Sequence, residues 1–173
     1  MENSHLLPRS GKALDAACGL GANAILMAKH GLETHAWDLS ATALQRLNQT
    51  IADTGLNIIT AQRDIVARPP EPLSFDVIVV TRFLDRSLIP HLIQALRPDG
   101  LIFYQTFTKT RLDEIGPCNP AYRLNNNELL QLFSALEIIV YREEGIIGDL
   151  STGFRNEAML IARQQSSESF LAD

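Results

Sequence analysis

The chain has 173 residues, enough for one domain with a substantial core, and its 46% hydrophobic and 20% charged content is ordinary for a globular protein. A net charge of −5 argues against a general binder of nucleic acid or anionic membrane, and the longest apolar runs, such as Val77 to Val80, are far too short to span a bilayer. No signal peptide precedes the first strand, and Cys18 and Cys118, without metal-type spacing, read as two free thiols in a reducing compartment, so the cytoplasm is the expected location.

Taken in chain order, residues 12–17 read as a short buried strand. The turn holding Gly19 and Gly21 leads into a helix over residues 21–30, with Gly31 as its C-cap. Residues 33–38 are a second strand. Ser40 is a good N-cap for a helix running to about Thr54 and closed by Gly55. A third strand over residues 57–62 ends near Asp64, the run Pro69-Pro70-Glu71-Pro72 breaks the pattern, and residues 75–80 supply the fourth. Residues 87–96 read as a helix stopped by Pro98-Asp99-Gly100, which turns the chain into a fifth strand over 101–106.

An irregular stretch over 107–125, with Gly116, Pro117 and Pro120, precedes a short helix over 126–134. Residues 136–142 and 157–162 are the last strands. The 144–156 loop between them is too short for a helical crossover, which makes the pair antiparallel. From Gln164 the chain is a polar, frayed tail. The expectation is an α/β, doubly wound fold with a seven-stranded, mostly parallel sheet and an antiparallel last strand. It occupies a single domain over residues 1–163, with residues 164–173 as the tail.

Strand, glycine turn, helix, second strand and then Asp38, about 20 residues past the glycines, is the arrangement by which an α/β domain grips the ribose of an adenosine-containing cofactor. The pattern Gly19-x-Gly21-x-x-Ala24 alone fits a nicotinamide dinucleotide equally well. Asp15 separates the two. A dinucleotide places two phosphates above this loop, against the helix N-terminus, where a further carboxylate repels them. S-adenosylmethionine carries a sulfonium and an ammonium instead, and suits a nearby acid. The competing reading is an Asp15 that caps a turn and meets no ligand.

The segment Asp15-Ala-Ala-Cys-Gly-Leu-Gly-Ala-Asn-Ala-Ile-Leu-Met-Ala-Lys-His-Gly31 resembles the first motif of the class I S-adenosylmethionine-dependent methyltransferases, and Ala36-Trp37-Asp38 resembles their ribose-binding acid. Within that superfamily the chain looks most like the tellurite-resistance, TehB-like branch. The likeness rests on Asn23-Ala24, on Ala36-Trp37-Asp38, on Pro117-Cys118 ahead of the Glu128-Leu129 helix, and on Arg155-Asn-Glu-Ala-Met-Leu-Ile-Ala-Arg163. The resemblance implies the Rossmann-like methyltransferase fold and S-adenosylmethionine as donor. Asp15, Ala17, Cys18, Gly19, Gly21 and Asn23 would hold it from the first loop, and Asp38, Leu39 and Thr81 from the ends of later strands. Asp38 would accept both ribose hydroxyls, against the alternative of a helix-terminal charge beside Ser40. Asp64 would take the adenine amino group and Ile65 the ring, against a plain turn aspartate.

Four features depart from the family pattern. Ala17 stands where a glycine is common, and its methyl is tolerated if the backbone there is not left-handed. Ala22 replaces the branch's usual arginine. The branch's histidine-bearing segment is replaced by residues 145–153. About ten residues precede the first strand, where family members carry a helix near the cofactor, so the donor site is expected to be more open or covered by another subunit of a homodimer.

Catalytic residues are not named by the sequence. His5, His30, His35 and His91 stand alone without ligand spacing, and no nucleophile–base–acid set is visible. Methyl transfer needs none when the acceptor is soft, such as a thiolate, selenide or reduced tellurium species. Arg82, Arg86, Lys109, Arg111, Arg123 and Arg155 fall on loops at the carboxyl rim, where they either steer a small anionic acceptor or are ordinary loop charge. Arg82, Arg86, Tyr122 and Arg155 are the substrate candidates, Tyr122 as part of a lid. The alternatives are an NAD(P)-dependent Rossmann-type oxidoreductase and a non-catalytic S-adenosylmethionine-binding module.

Overall fold

The computed structural model describes residues 3–166, and the part of the expected frayed tail from residue 167 on lies outside the described residues. Seven strands form one sheet: β1 (Lys12–Ala16), β2 (Glu33–Asp38), β3 (Ile58–Gln62), β4 (Phe75–Thr81), β5 (Leu96–Phe107), β6 (Glu137–Arg142) and β7 (Glu157–Arg163). Their order is β3-β2-β1-β4-β5-β7-β6, parallel throughout except for β7, which runs against both β5 and β6. The order reverses between β1 and β4, so the crevice that collects ligands in open α/β sheets lies beyond the carboxyl ends of those two strands.

Period-2 alternation sorts the core. Leu14, Ala16, Ile78, Val80, Ile102 and Tyr104 face the side covered by α3 (Ile89–Ala95) and α4 (Glu128–Leu132). Ala13, Val77, Val79 and Phe103 face the other, with Leu7 and with Met27 of α1 (Ala22–Lys29). Helix α2 (Ala41–Ile51) adds Leu44 and Leu47 on that side. The β3–β4 crossover has no helix, as the proline run dictates. Instead Arg63 lies 4.1 Å from the centre of the Trp37 ring and donates to the carbonyls of Arg68 and Pro69, while Ile65 is buried against the same side of the sheet.

Helix ends differ from the sequence expectation where side chains or φ angles intervene. Ser40 does cap α2, its Oγ accepting from the Ala43 N–H at 3.2 Å. Helix α4 starts only at Glu128, because Asn127 is left-handed at φ 61° and cannot join it. Helix α3 starts at Ile89, Ser87 being held in a turn by Asp85. Strand β5 absorbs the expected Pro98-Asp99-Gly100 turn as an irregularity. Leu96 pairs with Phe75 and Leu101 with Val77, and left-handed Asp99 with Gly100 ties to Gln164 between them. Among the described residues no helix is long and apolar enough to cross a membrane.

Candidate functional site

Asp15 is the next-to-last residue of β1, and alternation turns it toward the side covered by α1. Its carboxylate is fully buried, and Oδ2 accepts the Ala24 N–H at 2.9 Å, in the first turn of α1, where helical N–H groups lack intrahelical acceptors. Oδ1 has no hydrogen-bond partner among the described residues. Burial pushes the Asp15 carboxyl up to about 7; the Ala24 N–H and Asn23 side chain pull it down and Asp38 pushes it further up. A buried acceptor without a donor is rare and costly, and this one lies directly under the glycine turn.

The turn itself is a run of left-handed residues. Ala17, Gly19 and Gly21 have φ of 56°, 53° and 75°. The sequence condition for tolerating Ala17 is therefore not met: its backbone is left-handed, and its methyl is held there at a steric cost. Gly21 is required for a second reason, since a Cβ there would lie 2.5 Å from the Leu47 methyl carbons of α2. Gly19 is different. A Cβ would meet nothing within 4 Å, so the loop's upper surface is open. Its N–H donates to Asp38 Oδ2 at 2.7 Å, and Asp38 Oδ1 accepts from the Ser40 N–H at 2.8 Å. A carboxylate has about four lone-pair sites, so Asp38 keeps room for two more donors. Beside it Leu39 is 65% exposed, far above what an apolar side chain needs for packing.

Cys18 is buried under this loop, its thiol pushed up to about 12 by burial and by Asp15 and Asp38, which removes it as a nucleophile. Asn23 donates to Thr81 Oγ1 at 3.1 Å, joining the start of α1 to the end of β4. Asp64 Oδ1 accepts from the N–H groups of Val66 and Ala67, closing a turn over buried Ile65. The donor candidates thus collect at the carboxyl ends of β1, β2, β3 and β4.

Two cavities flank that cluster. One, of about 380 Å³, borders Asn23, Thr81 and Gln105 and is walled by Val79, Phe103, Phe154 and Met159. The other, of about 400 Å³, is formed by Val66, Phe83, Pro117 and Tyr122 among others. Arg82 lines both. The structure therefore brings Arg82 and Tyr122 together on one cavity, whereas Arg86 and Arg155 line neither. Arg86 donates to Glu128 and to the carbonyls of Ala121 and Arg123, and Arg155 to the carbonyls of Thr152, Gly145 and Asp149. Sequence reasoning missed Gln105, Phe154 and Met159. A polar glutamine inside the apolar run of β5, sharing a face with Phe103, was the available signal.

The methyltransferase-domain family profile matches residues 13–100. The probable S-adenosyl-L-methionine-dependent methyltransferase TehB of Haemophilus influenzae is 28% identical over 138 residues, covering 76% of this chain and 48% of its own length. The crystal structure of TehB from Haemophilus influenzae superposes with a TM-score of 0.78 at 24% identity, over 95% of this chain and 60% of that one. A solved S-adenosylmethionine-dependent methyltransferase from Methanosarcina mazei gives a TM-score of 0.74 at 18% identity, over 95% of this chain and 97% of that one. The chain spans about half the length of the curated relatives it matches. It belongs to the methyltransferase domain family, as a class I S-adenosylmethionine-dependent member with its likeness on the TehB-like side.

Proposed function

We propose that the protein transfers a methyl group from S-adenosylmethionine to a small-molecule acceptor. The observation that carries this reading is the buried Asp15, whose Oδ2 already occupies a first-turn N–H of α1 and whose Oδ1 is unpartnered. In a dinucleotide-binding fold that helix end faces pyrophosphate; here it is filled by the Asp15 carboxyl, whose ionised form suits a cationic ligand and opposes a phosphorylated one.

The residues present fit such a donor. Asp38 retains acceptor capacity for two ribose hydroxyls after serving the Gly19 and Ser40 N–H groups. Asp64 spends Oδ1 on its own turn, leaving Oδ2 for an adenine amino group, and Leu39 and Ile65 offer apolar surface to the ring. Left-handed Gly19 keeps the space above the loop free of side chain. The open glycine turn, with Ala17 and Cys18, lets backbone approach the methionine end, and Asn23 and Thr81 mark the border with the acceptor cavity.

When bound, the donor supplies a methyl on a positively charged sulfur that leaves readily. The protein's share is alignment and exclusion of water. Among the described residues that line the cavity beside Asn23 there is no histidine and no carboxylate. Its tyrosine, Tyr104, is raised above the usual phenol range by burial and donates to the Phe83 carbonyl. None of the described lining groups is placed to take a proton, which favours an acceptor already nucleophilic at neutral pH: a thiol or a selenium or tellurium species, small or anionic.

Incubation with methyl-labelled S-adenosylmethionine and a panel of small thiols, selenols and phenols tests this. Label in the thiol or selenol fraction, with S-adenosylhomocysteine released in equal amount, is the expected result. Donor binding with label in phenols alone would overturn the soft-acceptor reading. Binding without turnover on any member would point to a donor-binding module.

A further inference from the structure

The six basic residues expected on the carboxyl rim are not equivalent. Arg123 is 2% exposed and spends its guanidinium on the carbonyls of Thr108, Ile115 and Pro117. Arg86 and Arg155 are likewise committed to backbone carbonyls of the loops they hold. Lys109 donates to Asn125 and Arg111 pairs with Glu114, and neither lines either cavity. Arg82 alone of the six stands in the wall of both.

Its geometry is that of an anchored fork. Nε donates to Glu157 Oε1 at 3.1 Å, and this is the one hydrogen bond the guanidinium makes among the described residues. Glu157 has a side chain only 9% exposed and is itself held by the Gln105 amide, while the Arg82 side chain is 67% exposed. The Arg82 backbone N–H donates to the Gln105 carbonyl at 2.8 Å, and its φ of 56° is left-handed. Such a conformation in a branched-chain-sized residue persists where surrounding contacts over-determine it, and marks positions whose side-chain direction matters. The inner edge of the fork is thus fixed by Glu157, and the outer edge, both terminal Nη atoms, has no hydrogen-bond partner among the described residues at the junction of the two cavities. Phe107 lies under the guanidinium, 5.8 Å away.

Resting on the methyl-transfer reading, we infer that Arg82 sets acceptor specificity by binding a carboxylate carried by a small, mostly apolar acceptor, with Glu157 as its positioning residue. A planar fork with a free edge matches a carboxylate by two parallel N–H donations. The walls of the adjoining cavity, Val79, Phe103, Phe154 and Met159, suit a hydrocarbon body and not a hydrated inorganic ion. Asn23 and Thr81 line the same cavity and belong to the donor cluster, so an acceptor held by its carboxylate at Arg82 would sit beside the donor.

The test uses a matched pair of methylated thiols, 3-(methylthio)propionate and 3-(methylthio)propan-1-ol, titrated into the full chain by NMR with and without S-adenosylhomocysteine. The carboxylate should bind at least about tenfold more tightly than the alcohol, as charge-assisted bidentate pairing implies. Arg82→Gln, at an exposed side chain that carries no core packing, should abolish the preference and leave the alcohol's affinity unchanged. Arg82→Lys should keep part of it, and Glu157→Gln should reduce it by freeing the fork. Equal affinities for the pair, no binding of the carboxylate, or a preference that survives Arg82→Gln would overturn the inference. Intact S-adenosylhomocysteine binding with no carboxylate preference sinks this inference alone. Loss of S-adenosylhomocysteine binding itself sinks the donor reading beneath it, and Arg82 as an acceptor residue with it.

Discussion

Ala17 concentrates the backbone strain of the glycine turn in one methyl group. A left-handed non-glycine residue costs roughly 1–2 kcal/mol, and the glycine that would relieve it returns about 0.4–1 kcal/mol to the unfolded chain. Ala17→Gly is therefore expected to stabilise the protein by about 0.5–1 kcal/mol in urea unfolding, and unchanged or reduced stability would show that the loop depends on the methyl. Asp15 makes a second residue-level prediction. Its carboxyl ordinarily loses its proton near 3.8 but holds it to about 7 in the fold. Folding thus favours the protonated form, and this contribution to stability declines as pH rises from about 4 to about 7 and is level above. Asp15→Asn should remove that decline: the stability of the variant relative to the parent should grow across this window, measured by denaturant midpoints. A pH-independent difference would mean that Asp15 is ionised throughout. Residue chemistry was legible in the sequence where it is local. Asp15, Gly19, Gly21 and Asp38 follow from one short motif. Glu157 and Gln105 do not, because the Arg82–Glu157 contact spans 75 residues and the Gln105–Glu157 contact 52, and both depend on β7 inserting beside β5.

At the scale of elements, the number, positions and type of the strands were legible because alternating burial and turn residues agree. Helix ends were not, because single φ angles such as that of Asn127 decide them. The irregular 108–124 stretch is the clearest case. It has no regular structure beyond the short turn Pro120–Tyr122, yet it is fixed by Arg123 from within and by the Arg86–Glu128 pair from outside, with Nε to Oε1 at 2.6 Å. Glu128 is held below the usual carboxylate range by that arginine and by the Asn125 N–H, so the pair stays charged across the physiological range. Arg123→Ala should cost about 3 kcal/mol, through three carbonyls that lose a charged donor. Hydrogen exchange should rise across residues 108–124 while β1 and β4 stay protected. Uniform loss of protection would show instead that this loop is part of the cooperative core.

The whole molecule places its chemistry where the strand order reverses. Helix α1, the glycine turn and Asp38 are supplied by one βαβ unit; Thr81 and Arg82 come from the strand across the crevice. The arrangement is a general nucleoside grip, and the fold by itself does not choose its ligand. In the proposed function the choice falls to the carboxyl under α1 and to the capacity left on Asp38. Asp38→Ala should weaken donor binding by about 1.5–3 kcal/mol, the range for hydrogen bonds to a charged group. The measurement that bears most directly on the account is a calorimetric titration of the full chain with S-adenosylhomocysteine and, separately, NADH, repeated on Asp38→Ala. Micromolar binding of S-adenosylhomocysteine alone, weakened by the substitution, is the predicted result. Binding of NADH, or S-adenosylhomocysteine binding indifferent to Asp38, would contradict it.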